Sequence, residues 1–170
     1  VAYPRAVTGI SALAFPRQAQ GSLVRDSAGA VVGSSLIAQG FDAPRYLHPR
    51  PSAAGKGYDA AGSSGSNLGP LNEDLAARQV EGAAAYRETT RQPVVPADAV
   101  TTSASGLDPD VSPDNAALQV ARIAAARGAT AAQVQAVIAE HTTGRALGIL
   151  GQPRVNVLEV NLSLDAKLPV

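Results

Sequence analysis

The chain of 170 residues is 45% hydrophobic, lacks Cys, Met and Trp, and balances 14 Lys and Arg against 14 Asp and Glu. This length allows one core of ordinary size, and the neutral balance excludes a dedicated nucleic-acid binder, which needs a basic excess to neutralise phosphates. The missing Cys excludes disulfides, thiolate catalysis and zinc ribbons, and a chain without Met at position 1 is expected to have lost its start by processing or truncation.

Val1 to Phe15 is apolar, with Arg5 its only charge. It falls short of the about 20 apolar residues that span a bilayer. It reads equally as the outer end of a spanning helix, with Tyr3 and Phe15 at the membrane–water interface, or as an ordinary buried or frayed segment. Leu23-Val24-Arg25 and Val31-Val32 flank Asp26-Ser27-Ala28-Gly29, a hairpin turn in which Gly supplies positive φ. Gly33 to Ala38 is the expected extension of the second strand. Pro44, Pro49 and Pro51 exclude regular structure from Phe41 to Ser52, and the Gly- and Ser-rich run Ala53 to Gly69 predicts a long loop.

Asn72 caps a predicted surface helix running to about Thr90, with Glu73 and Asp74 in its first turn and Leu75, Ala76, Val80, Ala83 and Ala84 as a weak stripe. Gln92 to Ala97, with Pro93 and Pro96, reads as a linker. Ser112 caps a second helix with Pro113 at its first position, lined by Ala116, Ala117, Val120, Ile123 and Ala124 and ended by Gly128. Thr130 and Gln133 form a capping box for a third, with a stripe of Val134, Val137, Ile138 and His141 and an end at Gly144. These last two helices form a hairpin or corner. Leu158, Val160, Leu162 and Leu164 alternate with polar residues, which predicts a one-sided strand. Val155 and Val157 lie on the opposite phase, as a bulge would place them. The expected fold is α+β: a small, mostly antiparallel sheet, its terminal strand paired with the early hairpin, and three or more helices packed against it.

No strong chemical constellation emerges. His48, among prolines, and His141, near a helix C-terminus, each have a structural explanation, and no nucleophile elbow follows a strand. Ser105 and Asp108 fit a turn whose side chains bond nearby amides. Gly55-Lys56-Gly57 lacks the pattern of a phosphate loop, although its amides could face an anion. No metal-ligand spacing is present. Arg50, between Pro49 and Pro51, is stiffly presented for a carboxylate, with an internal salt bridge favoured over an intermolecular one. The run Thr101 to Pro113 is the densest in special residues and reads as a rigid turn that defines a shape.

Ordered blocks along nearly the whole chain resemble the KdpC family, the C subunit of the Kdp potassium-transporting P-type ATPase of bacteria and archaea. They are Tyr3-Pro4, Gly21 to Val24, Gly33 to Phe41, Tyr46 to Ala53, Ser63 to Pro70, Thr101 to Pro113, Gln119 to Arg122, Leu147 to Pro153 and Val155 to Asn161. Ser64 stands where the family usually has Gly, and Leu47 where Phe is common. The resemblance implies that residues 1–15 are the end of a transmembrane helix and 16–170 an extracytoplasmic domain on a single-pass subunit of the plasma membrane. It implies a non-catalytic subunit with two partners, a channel-like potassium-binding subunit and a P-type ATPase subunit. ATP and Mg are expected at the latter, whose ATP binding this chain would promote as a catalytic chaperone. The residues expected to contact partner or nucleotide are Arg50, Ser66, Asn67, Ser103, Ser105 and Asp108. The alternative is a periplasmic hydrolase or a ligand-binding module that uses the Gly- and Ser-rich loops.

Overall fold

A computed structural model describes residues 1–26 and 28–170. The chain runs through α1 (Ala2–Ala14), α2 (Pro16–Ala19), β1 (Leu23–Arg25), β2 (Val31–Ser34), α3 (Glu73–Thr90), a 3-10 turn (Ala97–Ala99) and β3 (Asp110–Val111). It continues with α4 (Pro113–Arg127), α5 (Ala131–Glu140), β4 (Thr142–Thr143), β5 (Arg154–Asn156) and α6 (Val157–Lys167). Helices and two small antiparallel sheets make the fold α+β, as expected.

Local signals hold where they are strongest. The Ser112 side chain accepts from Asn115 N, Pro113 opens α4, and Gly128 closes it at φ 62. Thr130 and Gln133 form the capping box of α5, and Asn72 caps α3 by accepting from Asp74 N. The core lies between α4, α5 and α6, with Val111 and Val155 from the strands and Leu47 from the proline-rich segment. Its side chains are mostly Val, Ile and Ala, so each contact is small and stability is spread over many.

Several expectations are corrected. The alternating C-terminal run is the helix α6, not a strand. Its buried positions, Val157, Leu158, Val160, Asn161 and Leu164, follow helical spacing. Asn156 fixes its start by accepting from Glu159 N, and this cap outweighs the strand preference of the valines. Val155 and Val157 are thus the middle of a strand and the first turn of a helix, both buried; no bulge is involved. β5 pairs with β3 and β4, not with the early hairpin. The two sheets are linked instead through the Asn156 amide, which donates to Ser35 O at 2.9 Å. In the hairpin itself, Asp26 Oδ1 accepts from Ala28 N and Ala30 N. Of that turn, Ser27 lies outside the described residues. β2 stops at Ser34, short of Ala38.

The inward face of α3 is rotated from the apolar stripe. Val80 is 71% exposed, and the half-buried positions are Leu75, Gln79, Gly82, Ala83 and Tyr86, with Thr90 buried. Polar anchoring sets this rotation, since Tyr86 Oη donates to Asn115 Oδ1 at 3.0 Å. Ala117 of α4 is likewise exposed, while Asn115 and Gln119 are buried. α5 ends at Glu140, before Gly144, because Thr142 and Thr143 are taken into the ladder with Val155 and Arg154. The described part of α1 buries no residue, which removes the buried reading of that segment. Among the described residues no helix is long and apolar enough to cross a membrane.

Candidate functional site

Prolines deprive residues 44–51 of a ladder, so their backbone groups need other partners. Side chains supply them in order along the segment. Arg122 Nη1 donates to Pro44 O at 2.6 Å, and Arg127 Nε donates to Arg45 O at 2.8 Å. Asn161 meets both groups of Leu47: its Oδ1 accepts from Leu47 N at 2.7 Å and its Nδ2 donates to Leu47 O at 2.9 Å. Gln119 does the same for His48, at 2.9 and 3.2 Å. Tyr58 Oη donates to Arg50 O at 2.8 Å. Asn161 and Gln119 are almost wholly buried, so each bond is made away from competing water. Side chains thus take the place of a ladder along this segment.

This fixed segment presents Arg50 and Ser52 to the turn at residues 101–108. Arg50 Nη1 lies 2.7 Å from Asp108 Oδ2, and its other donors reach Thr101 O and Thr102 O at 3.3–3.4 Å. Ser52 Oγ donates to Gly106 O at 2.6 Å and accepts from Tyr58 N at 2.8 Å. The 63–65 loop closes from the other side, with Ser64 N donating to Ser105 O at 2.9 Å. Gly106 sits at this junction with φ +66, and a Cβ there would lie 2.5 Å from Ser64 O. Only glycine satisfies both the backbone conformation and the space.

The structure therefore joins Arg50, Asp108, Ser103 and Ser105 in one three-loop cluster. Asp108 Oδ1 also accepts from Asp110 N, and Ser105 Oγ accepts from Leu107 N, as turn residues do. The Ser103 and Ser105 hydroxyls are 3.3 Å apart. Ser66 and Asn67 lie on the adjoining loop, Asn67 exposed in the left-handed conformation at φ 53. The favoured internal role of Arg50 is what the geometry shows.

Beside the cluster, a cleft of about 460 Å³ has Arg50 and Arg154 facing Asp98, Asp108 and Asp110 in its wall. Arg50 pairs with Asp108 and Arg154 Nε lies 3.0 Å from Asp110 Oδ2, while Asp98 accepts hydrogen bonds from Ser112 and Asn115. Burial raises the Asp110 carboxyl above its usual range, against the opposing pull of the Asn156 hydrogen bond and Arg154. A second hollow, between α3 and α4, contains His48, Tyr86, Asn115, Gln119 and Arg122. Arg122 Nη1 lies 3.1 Å from His48 Nε2. Burial lowers the His48 pKa first and the Arg122 charge adds to this, while burial brings Arg122 itself down to about 10. Neither imidazole has a serine partner among the described residues: His48 meets Ala43 O and Arg122, and His141 lies 3.6 Å from Glu159. No cluster of three or more metal-ligating side chains occurs among the described residues.

Two features escaped the sequence reading. The first is the side-chain rack of Gln119, Arg122, Arg127 and Asn161; polar residues at helix spacing beside apolar ones were its only local trace. The second is the loop 144–153 between β4 and β5, where Leu147, Ile149 and Leu150 are 89%, 74% and 58% exposed. Leucine and isoleucine in a Gly-flanked run carry no mark of exposure in the sequence itself.

Comparison with known proteins adds a family. A family model described as KdpC, the K+-transporting ATPase c chain, matches residues 1–166. A potassium-transporting ATPase KdpC subunit from Caulobacter sp. (strain K31) is 62% identical over 99% of this chain and 86% of its own length. Subunits of the same name from Beijerinckia indica and Mycobacterium tuberculosis are 56% and 53% identical, over 99% and 97% of this chain and 86% and 88% of their own lengths.

Proposed function

The chain belongs to the KdpC family, and from that premise we propose that it is an accessory subunit of a potassium-transporting ATPase complex, acting by shape and without a reaction of its own. Its partners are a channel-like potassium-binding subunit, on which it docks from outside the membrane, and a P-type ATPase subunit that holds ATP and Mg. It supports assembly and raises the ATP affinity of the ATPase subunit as a catalytic chaperone. Residues 1–15 lie at the outer end of a membrane helix, so the body of the chain is on the extracytoplasmic face.

One observation carries the reading. In the three-loop cluster Arg50 is engaged with Asp108 and Ser52 with Gly106 O, and beside it Arg154 is engaged with Asp110, which spends their chemistry on holding a surface in shape. A surface built this way favours recognition, because preorganised groups lose little entropy on binding. An effect on cytoplasmic ATP then passes through the membrane helix or the partner subunits. The test deletes residues 16–170 while retaining the membrane helix. Potassium-stimulated ATP hydrolysis by the complex is expected to be lost, and undiminished hydrolysis would refute the proposal.

A further inference from the structure

We propose that the loop 144–153 is a docking finger that inserts Leu147, Ile149 and Leu150 into an apolar crevice with an acidic rim on another subunit of the same complex. This rests on the functional reading above and names the surface through which it operates.

Exposure of three large aliphatic side chains on one short loop is unfavourable in water and marks a surface that is covered in use. The loop is also held in one shape. Thr142 and Thr143 pair with Val155 and Arg154 at its base. Ala146 and Leu150 exchange backbone hydrogen bonds at 2.9 Å each, and Arg145 Nη2 donates to Gln152 Oε1 at 2.8 Å. At the tip Leu147 is left-handed, at φ 53, a conformation that crowds its Cβ against the backbone. Fixed shape with local strain suits a partner that also has fixed shape.

Two points favour a protein over a lipid surface. A bilayer has no shape for a strained tip to match. The stretch from Thr142 to Leu158 contains no Trp or Tyr, the residues that seat at membrane interfaces. Its only charged residues are Arg145 and Arg154. Arg154 meets Asp110, and Arg145 has no carboxylate partner among the described residues, its recorded partner being Gln152. That leaves a cation at the foot of the apolar tip; an acidic rim on a protein complements it, as an anionic headgroup also would, and the crosslinking arms below separate the two. The position agrees. Glu159 lies 3.6 Å from both His141 and Arg17, so the loop is rooted beside the segment that follows α1. In the functional reading, that is the side toward the membrane-embedded partners.

The experiment uses the assembled complex in its native membrane. Benzoylphenylalanine replaces Leu147, Ile149 or Leu150 in turn, and Val80 on exposed α3 as a control. After irradiation, an adduct to another subunit from the loop positions, absent from position 80, is the expected result. Adducts to lipid alone, no adduct, or equal adducts from position 80 would overturn the inference. In parallel, the triple variant L147S/I149S/L150S is expected to lower the complex recovered with this chain by about tenfold or more, the scale at which truncated interface anchors act. Its melting curve should stay unchanged, because these side chains are exposed. Recovery equal to wild type would also overturn the inference. That failure differs from failure of the functional reading, in which deletion of residues 16–170 leaves potassium-stimulated hydrolysis intact.

Discussion

Replacing Arg50 tests whether its charge serves the chain internally. R50M keeps the aliphatic stem and removes the guanidinium; D108N removes the opposite charge and leaves Oδ1 to accept from Asp110 N. The pair is short, 2.7 Å, and both side chains are less than a third exposed, at 22% and 30%. A charge-assisted bond in such a place contributes about 1.5–3 kcal/mol. The contacts to Thr101 O and Thr102 O, at 3.3–3.4 Å, are too long to add much. R50M should therefore destabilise the chain by about 2–4 kcal/mol, including the cost of leaving Asp108 half-buried and unpaired. The double variant should lose less than the sum of the singles, with a coupling of about 1.5–3 kcal/mol. Urea denaturation of the four proteins at one pH and salt concentration measures this. A coupling below about 0.5 kcal/mol would show that the two charges act independently, and the clamp argument would fail.

At Gly106, an alanine must adopt φ +66 and place its Cβ 2.5 Å from Ser64 O and 2.7 Å from Ala54 N. G106A should cost about 2–4 kcal/mol, strain plus overpacking, whereas G29A, at φ +81 with nothing within 4 Å, should cost about 1 kcal/mol. Equal melting temperatures for the two variants would contradict the close packing of the loops. Acid should weaken the chain through His48. With the neutral ring's proton on Nδ1, Nε2 accepts from Arg122; protonation replaces that bond with a repulsion, which donation to Ala43 O only partly offsets. Because burial and then Arg122 hold the folded pKa below the ordinary 6.5, the unfolded chain binds the extra proton in that window. The resulting stability is complete above about pH 6.5 and is lost as the pH falls toward the folded value. Denaturation midpoints of H48Q should vary less than those of the wild type from about pH 7 to about pH 5, and parallel profiles would exclude His48 as the source.

What the sequence determined by itself was local. The ends of α3 and α4 and the start of α5 were legible because a cap and its amide lie within three residues of each other, so Asn72, Ser112, Thr130 and Gly128 needed no distant partner. Arg50 between two prolines and the turn at 101–108 were each legible as stiff segments, but their pairing across 58 residues belongs to the tertiary structure. Tertiary structure decided what lay between distant residues. In the run from Val157 to Leu164, alternation and helical spacing coexist; the cap at Asn156 is a local signal that alternation masked, and the docking of Asn161 on Leu47 is the tertiary contact that favours the helix. The inward face of α3 followed Tyr86 and its contact with Asn115 rather than the apolar stripe. Only the folded chain shows that Gln119 and Asn161 replace the missing ladder of the proline-rich segment. A buried backbone group must find a partner, but its own sequence does not say which side chain, more than 70 residues away, will provide it.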